Sequence, residues 1–299
     1  NGSATDSNAE RNAKADASGA GASANYLLAD DVLNWDGTDT DWQDEVFRTA
    51  PMQSYNLSIA GGSENIGYYL AGGYFSQDGL IEGSGFDRYS FRLNLEADLT
   101  SRLQVGLNLN PSFTQFDRLP AGSPYFGRPP GIVYSALVHA PTVRPLNDDG
   151  TPNQLDNQSY LLTPDGAGAG FTTASNPLAI MQAITDDLSQ FRTFGNIYAS
   201  YELAEGLVFK TFAGIDLNNY NRSFYRANSL LYRTATTGEP YGQASASQSV
   251  NWLAEQTLSY EKRLSGGHTF SAVAGYSAQK ERLDLSQVIA DNFPDDLVP

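Results

Sequence analysis

The clearest signal along the chain is a strict two-residue alternation. In residues 88–97, RYSFRLNLEA, the side chains of Tyr89, Phe91, Leu93, Leu95 and Ala97 fall on one face of an extended chain, with Arg88, Ser90, Arg92, Asn94 and Glu96 on the other. The next stretch repeats the rule, as Leu103, Val105, Leu107 and Leu109 alternate with Gln104, Gly106, Asn108 and Asn110. The short link Leu99-Thr100-Ser101-Arg102 makes the two a hairpin. Similar pairs flank GGSEN at 61–65, Leu203-Ala204-Glu205-Gly206 and Arg263-Leu264-Ser265-Gly266-Gly267. Strands are therefore predicted near 52–61, 66–76, 88–98, 103–116, 189–202, 207–219, 249–262 and 268–281.

A strand with one wholly apolar side and one strongly polar side lies between oil and water. The links between the hairpins, about 77–87, 117–188, 220–248 and everything after 282, are longer than those within them, so short and long connections take turns. A membrane barrel imposes this order, because one rim carries tight turns and the other extended extracellular loops. The runs match the roughly 9–11 tilted residues that cross a bilayer, or slightly exceed them, whereas soluble strands centre near 5–6. Tyr68, Tyr69, Tyr74, Phe75, Tyr198, Tyr201, Trp252 and Tyr260 gather near strand ends, where an interfacial aromatic girdle would sit. The expected fold is all-β, an antiparallel transmembrane barrel wall of about eight strands over 51–299. Its long extracellular loop at about 117–188 carries short helices within 131–140 and 176–186. Residues 1–50, rich in Ala, Ser, Asn, Asp and Gly without a sustained period, are expected to be irregular linker with at most one helical turn.

Composition sharpens this picture. Hydrophobic content is 40% and charged content 17%, with no apolar run near the roughly 18 residues of a membrane helix, which excludes a helical membrane protein. Alternating barrel strands average to a modest hydropathy and remain allowed. A net charge of −16, from 34 acidic against 18 basic residues, argues against nucleic acid as a partner. With no Cys, disulfides and thiolate chemistry are absent. The opening NGSATDSNAERNAKADASGAGASANY has no basic region followed by an apolar core, so a leader is expected to have been removed, or the chain to be an internal section.

Candidate chemistry is sparse. His139 and His268, without Cys beside them, make neither a zinc site nor a triad. Asp186-Asp187 and Asp295-Asp296 are expected as solvated link carboxylates rather than a glycosidase pair. The run Gly166–Gly170 lacks the Lys-Ser/Thr ending of a phosphate loop. Asn147-Asp148-Asp149-Gly150 suits an Asp-Gly turn better than a calcium loop, whose first ligand position would fall on Pro145. No catalytic residue, cofactor or metal site is expected. What remains is the polar face, where Arg88, Arg92, Asn94, Glu96, Asn108, Asn110, Arg192, Asn196, Lys210 and Asp216 would line the lumen of a barrel. They suit hydrogen bonding either to protein filling the barrel or to a passing polar solute. The loops add Tyr125, Phe126, Tyr134, Tyr225 and Tyr232, which could stack on sugar rings, grip peptide side chains or pack on one another.

Residues 40–110 carry a resemblance: Asp41-Trp42-Gln43-Asp44, the entry Ala50-Pro51-Met52-Gln53, Asn56-Leu57-Ser58 before Gly61-Gly62, and Gly73-Tyr74-Phe75 with Gly79-Leu80-Ile81. The stretch is similar to the early barrel of SusC/RagA-type proteins. Asn176-Pro177-Leu178, Gly214-Ile215-Asp216, Asn251-Trp252-Leu253 and Phe293-Pro294 extend the resemblance over nearly everything after residue 40. It implies a TonB-dependent importer in the outer membrane of Gram-negative, Bacteroidetes-like bacteria, with about 22 strands closing around a plug. It further implies a SusD-like lipoprotein over the extracellular mouth, outer-membrane lipid around the wall, and oligosaccharide or peptide cargo. The family's TonB box, plug, carboxypeptidase-like domain and aromatic-ended last strand find no match here, so TonB would act through parts absent from this chain. Two rivals stand beside this reading: a complete barrel of about eight strands with a structural or adhesive role, and a soluble secreted β-protein that binds glycans.

Overall fold

A computed structural model describes residues 10, 27–28, 37–122, 131–139, 141, 143–154, 161–162, 175–230, 240–294 and 296. Eight strands dominate it: β1 (Met52–Gly62), β2 (Ile66–Asp78), β3 (Gly85–Thr100), β4 (Leu103–Arg118), β5 (Ile184–Ala204), β6 (Leu207–Arg226), β7 (Tyr241–Arg263) and β8 (Thr269–Asp291). They pair antiparallel in chain order, so the sheet is a simple meander with β1 at one edge and β8 at the other. The two edges do not pair with each other. A two-residue ladder, Leu27–Leu28 with Leu161–Leu162, stands apart from it.

Turn chemistry fixes the tight rim. Between β5 and β6 the turn is Glu205-Gly206, and Gly206 takes a φ of +73°. A Cβ there would sit 2.0 Å from the carbonyl oxygen of Glu261, so only glycine serves. Between β3 and β4, the Thr100 hydroxyl accepts from the backbone N–H of Arg102 (3.2 Å) and of Leu103 (3.0 Å). Register slips at Asp98/Thr100 and Glu202/Ala204, beside these same turns.

The strands are longer than the alternation predicts. They grow from 11 residues in β1 to 23 in β8, about twice what a bilayer crossing needs. Residues 220–226, 241–248 and 282–291, expected in links, are strand. The link between β2 and β3 is only 79–84, scarcely longer than 264–268 on the opposite rim, so the contrast of short and long rests on 119–183 and 227–240.

Among the described residues no second layer covers the sheet. Leu57 is 81% exposed, and Phe91, Phe113, Ile197 and Ile215 on the same face are exposed as well. The buried core lies at the rim of the long connections. There α1 (Trp42–Val46), α2 (Ile132–Val138) and α3 (Pro177–Ala183) pack with Ile81, Val143, Ile184, Ala227 and Leu230. Asp41 caps α1 by accepting from the backbone N–H groups of Gln43 and Asp44. Asn176, 1% exposed, accepts from the Leu178 backbone N–H at the start of α3 and donates to the carbonyls of Pro145 (2.8 Å) and Asn153 (2.9 Å). Most of the expected linker 1–50 lies outside the described residues; 37–50 contain α1 and lead into β1 at this rim.

Candidate functional site

Ladder register assigns every strand side chain to a face. Asn94 lies opposite Asn108, Asn108 opposite Asn196, Ser112 opposite Arg192, and Ser200 opposite Lys210. Arg88, Arg92, Asn94, Glu96, Asn108, Asn110, Arg192, Asn196, Lys210 and Asp216 therefore all share one face, as the two-residue period requires. Their partners are lateral. Arg92 Nε donates to Asn110 Oδ1 (3.0 Å), Asn108 Nδ2 to Asn196 Oδ1 (3.0 Å), and Gln190 Nε2 to Asn218 Oδ1 (2.8 Å). Arg192 grips Asp216 through Nε (3.2 Å) and Nη2 (2.9 Å). Lys210 Nζ stands 4.8 Å from the Tyr198 ring centroid.

This face is not purely polar. Tyr69, Phe75 and Tyr198, expected in the aromatic girdle, have the parity of Asn94, Arg88 and Asn196 and point with them. Phe75, Phe86 and Phe116 form an edge-to-face row toward the long-connection rim, with centroids 5.7 and 4.8 Å apart. Phe194, between Asn110 and Asp216, is 51% exposed.

The opposite face has a different order. Tyr55, Tyr74, Tyr89, Phe113 and Phe191 are successive cross-strand neighbours, making one aromatic level across five strands. Nearer the tight turns, Tyr201, Phe209, Tyr260 and Phe270 make a second level, and Tyr68 lies between the two levels, opposite Leu95. Between the levels, β1 to β7 carry no Asp, Glu, Lys or Arg on this face, and on β8 Lys280 stands beside Trp252; charge returns above with Asp87, Asp117 and Asp187 and below with Lys262. From Tyr89 to Leu99 the chain rises about 33 Å, which at a tilt of ~40° spans about 25 Å of height, the depth of a barrel's apolar band.

At the long-connection rim of the polar face, Asp186 departs from expectation. Rather than a solvated link carboxylate it is a strand residue, 8% exposed, held by Arg222 through Nε and Nη2 (2.9 Å), with Arg118 Nε at 3.8 Å. Two guanidinium groups converging on it compensate its desolvation. Asp186→Asn is expected to cost about 1–2 kcal/mol, less than for a fully buried pair because Arg222 is partly hydrated. Hydrogen exchange would show it as faster opening of the rim ends of β5 and β6; unchanged protection there would refute the role. Asp296 is likewise engaged, accepting from Tyr225 Oη (3.0 Å) and from the backbone N–H groups of Asn228 and Ser229.

The loop candidates divide. Tyr225 packs its ring edge-to-face on Phe293 at 5.5 Å, and Tyr134 is half-buried on α2. Tyr125, Phe126, Tyr232, Asp295 and the Gly166–Gly170 run lie outside the described residues. His139 rests on Trp42, ring centroids 4.4 Å apart, a packing partner within the rim core. Asn147–Gly150 is an Asp-Gly turn with Gly150 at φ +83°. The Thr151 hydroxyl and N–H donating to Asp149 hold its carboxyl below the ordinary range. Among the described residues no three His, Asp or Glu stand together as metal ligands, and no helix is long and apolar enough to cross a membrane.

Known proteins share this arrangement. No family model matches the chain. TonB-dependent receptor P3 of Formosa agariphila is 31% identical over 242 residues, covering 81% of this chain and 23% of that protein. TonB-dependent receptor SusC of Bacteroides thetaiotaomicron is 27% identical over 189 residues, covering 60% of this chain and 18% of that protein. Among solved structures, the RagAB peptide importer in its 'open-open' state superposes with a TM-score of 0.67 at 22% identity, over 91% of this chain and 30% of that one. The 'closed-closed' state gives 0.66 at 23% identity, over 88% and 28%. The chain spans about a quarter of the length of the curated relatives it matches.

Proposed function

From the premise that this chain is a stretch of barrel wall of a SusC/RagA-type TonB-dependent receptor, we propose that the whole protein imports oligosaccharides or peptides across the outer membrane. The outer band of β1 to β7 between two aromatic levels, free of charged side chains, carries this reading, since a face of that depth and composition suits hydrocarbon and nothing else at hand. The band would meet outer-membrane lipid, and Arg88 through Asp216 would face the lumen, where a plug pulled by TonB opens the route. A SusD-like lipoprotein would cover the mouth, resting on the rim that the helical core stiffens. The named relatives are receptors and importers, and the wall performs no bond chemistry.

A self-contained barrel of eight strands is disfavoured because β1 and β8 remain unpaired. A soluble glycan-binding protein is disfavoured by the uncovered apolar face. The test is to purify the receptor from membranes and measure cellular uptake. Extraction only by detergent, co-purification of a lipoprotein and oligosaccharide or peptide uptake that stops when the proton gradient is dissipated are expected. A freely soluble monomer, or uptake indifferent to the gradient, refutes the proposal.

A further inference from the structure

Several arginines of the polar face are paired with carboxylates within the wall. Arg192 has Asp216, and Arg222 and Arg118 share Asp186. Arg88 and Arg92 form no ion pair among the described residues: Arg92 donates to an amide, Asn110, and Arg88 lies 5.7 Å over the Phe75 ring. In a chain with 34 acidic residues against 18 basic, two adjacent guanidinium groups without carboxylates are out of keeping with their surroundings. Both are exposed, and they border a recess of about 460 Å³.

The recess is shallow-floored for a structural reason. A Cβ on Gly73 would meet Asn56 Oδ1 and Ser90 Oγ, each at 2.8 Å, so the missing side chain lets those polar groups converge. Tyr69 borders it as well. Leu57, Phe91 and Pro111 also border the recess, but their parity turns their side chains to the opposite face; the amide, hydroxyl, aromatic and guanidinium groups that share its face together match a hydroxylated ring bearing a carboxylate or sulfate. The volume falls within the ~300–1,000 Å³ of ordinary ligand clefts. Rimward, the Phe75–Phe86–Phe116 row lies on the approach to it.

We propose that Arg88 and Arg92 form a binding site for acidic oligosaccharides, those carrying uronate or sulfate groups, on the polar face of the wall. This rests on the importer reading, which makes that face the lumen. The guanidinium groups supply the attraction that an acidic protein otherwise denies to an anion.

The test uses the intact receptor in detergent, titrated calorimetrically with tetragalacturonate and with uncharged maltotetraose. At about 50 mM salt, where screening is weak, tetragalacturonate is expected to bind roughly tenfold more tightly or better. The double variant Arg88→Gln, Arg92→Gln should lose that preference while its maltotetraose affinity and melting temperature hold. The site is overturned if the preference survives the double substitution, if wild type shows none, or if tetraglutamate binds as tightly as tetragalacturonate. A melting temperature that drops in the double variant also overturns it, because the arginines would then be holding a carboxylate of the barrel's own filling. Loss of charge preference with neutral binding intact strikes this site alone; failure of both saccharides to bind, with gradient-driven uptake absent, strikes the importer reading as well.

Discussion

Leu95→Arg should lower the stability of the folded barrel in phospholipid vesicles by about 2–4 kcal/mol, seen as a fall in the urea midpoint and in the amount of protein reaching the outer membrane. Leu95 faces outward midway between the aromatic level at Tyr89 and the turn at 101–102, with Leu93 and Leu107 as neighbours on the same face. An arginine there would put a charge in hydrocarbon, where the cost is greatest and snorkelling least effective. Two controls separate this from mere disruption of a strand. Asn94→Arg, one residue away on the polar face, should cost well under 1 kcal/mol, as surface substitutions usually do. Tyr55→Arg, at the upper aromatic level, should fall in the ~0–1 kcal/mol range of the interface. If Leu95→Arg and Asn94→Arg proved equal, the assignment of faces would fail, and the barrel reading with it.

The part of the fold under lipid constraint was legible in the sequence. Residues 88–110 alternate cleanly because each outward side chain must be apolar at every second position, and the register confirms Tyr89 through Ala97 and Val105 through Phe113 on one face. Above the bilayer that demand lapses, and so does the signal. In β8 the parity inverts: Leu283 and Leu285 share the face of Gln279, while Arg282 and Asp284 share the face of Ala278 and pair with each other at 2.8 Å. Nothing in a two-residue period marks such residues as strand, which is why the strand ends were expected as loop.

Two errors have different origins. The misplacing of Tyr69, Phe75 and Tyr198 in the girdle came from proximity to strand ends, although counting parity from Asn94 and Arg88 would have turned them inward. The rim core was beyond reach by periodicity. Trp42, Ile81, Ile132, Ile180 and Leu230 come from five separate segments, α2 and α3 have only seven residues each, and no spacing rule relates them. The burial of Asp186 was hidden for the same reason, since Arg222 lies 36 positions away and meets it only through the pairing of β5 with β6.

That rim core carries the second large effect. Trp42, 3% exposed, joins Val46, Ile132 and Ile180 and faces the His139 ring, so Trp42→Ala removes the largest side chain of a small cluster and leaves a cavity its short helices cannot close. The cost should be about 3–5 kcal/mol to the rim unit, with Trp42→Phe recovering much of it. The cluster meets the wall only at the rim ends of β5 and β6, through Ile184, Phe224 and Tyr225, and the β3–β4 ladder does not involve it, so the two should separate: amides of α1, α2 and α3 lose hydrogen-exchange protection while those of β3 and β4 keep theirs. If the rim is the seat of a lid partner, lipoprotein affinity should fall alongside, and the loss should track rim protection across the two variants rather than barrel stability. Equal loss of protection in rim and wall would show instead that the core and the sheet unfold as one unit, and would remove the basis for treating the rim as a separately anchored platform.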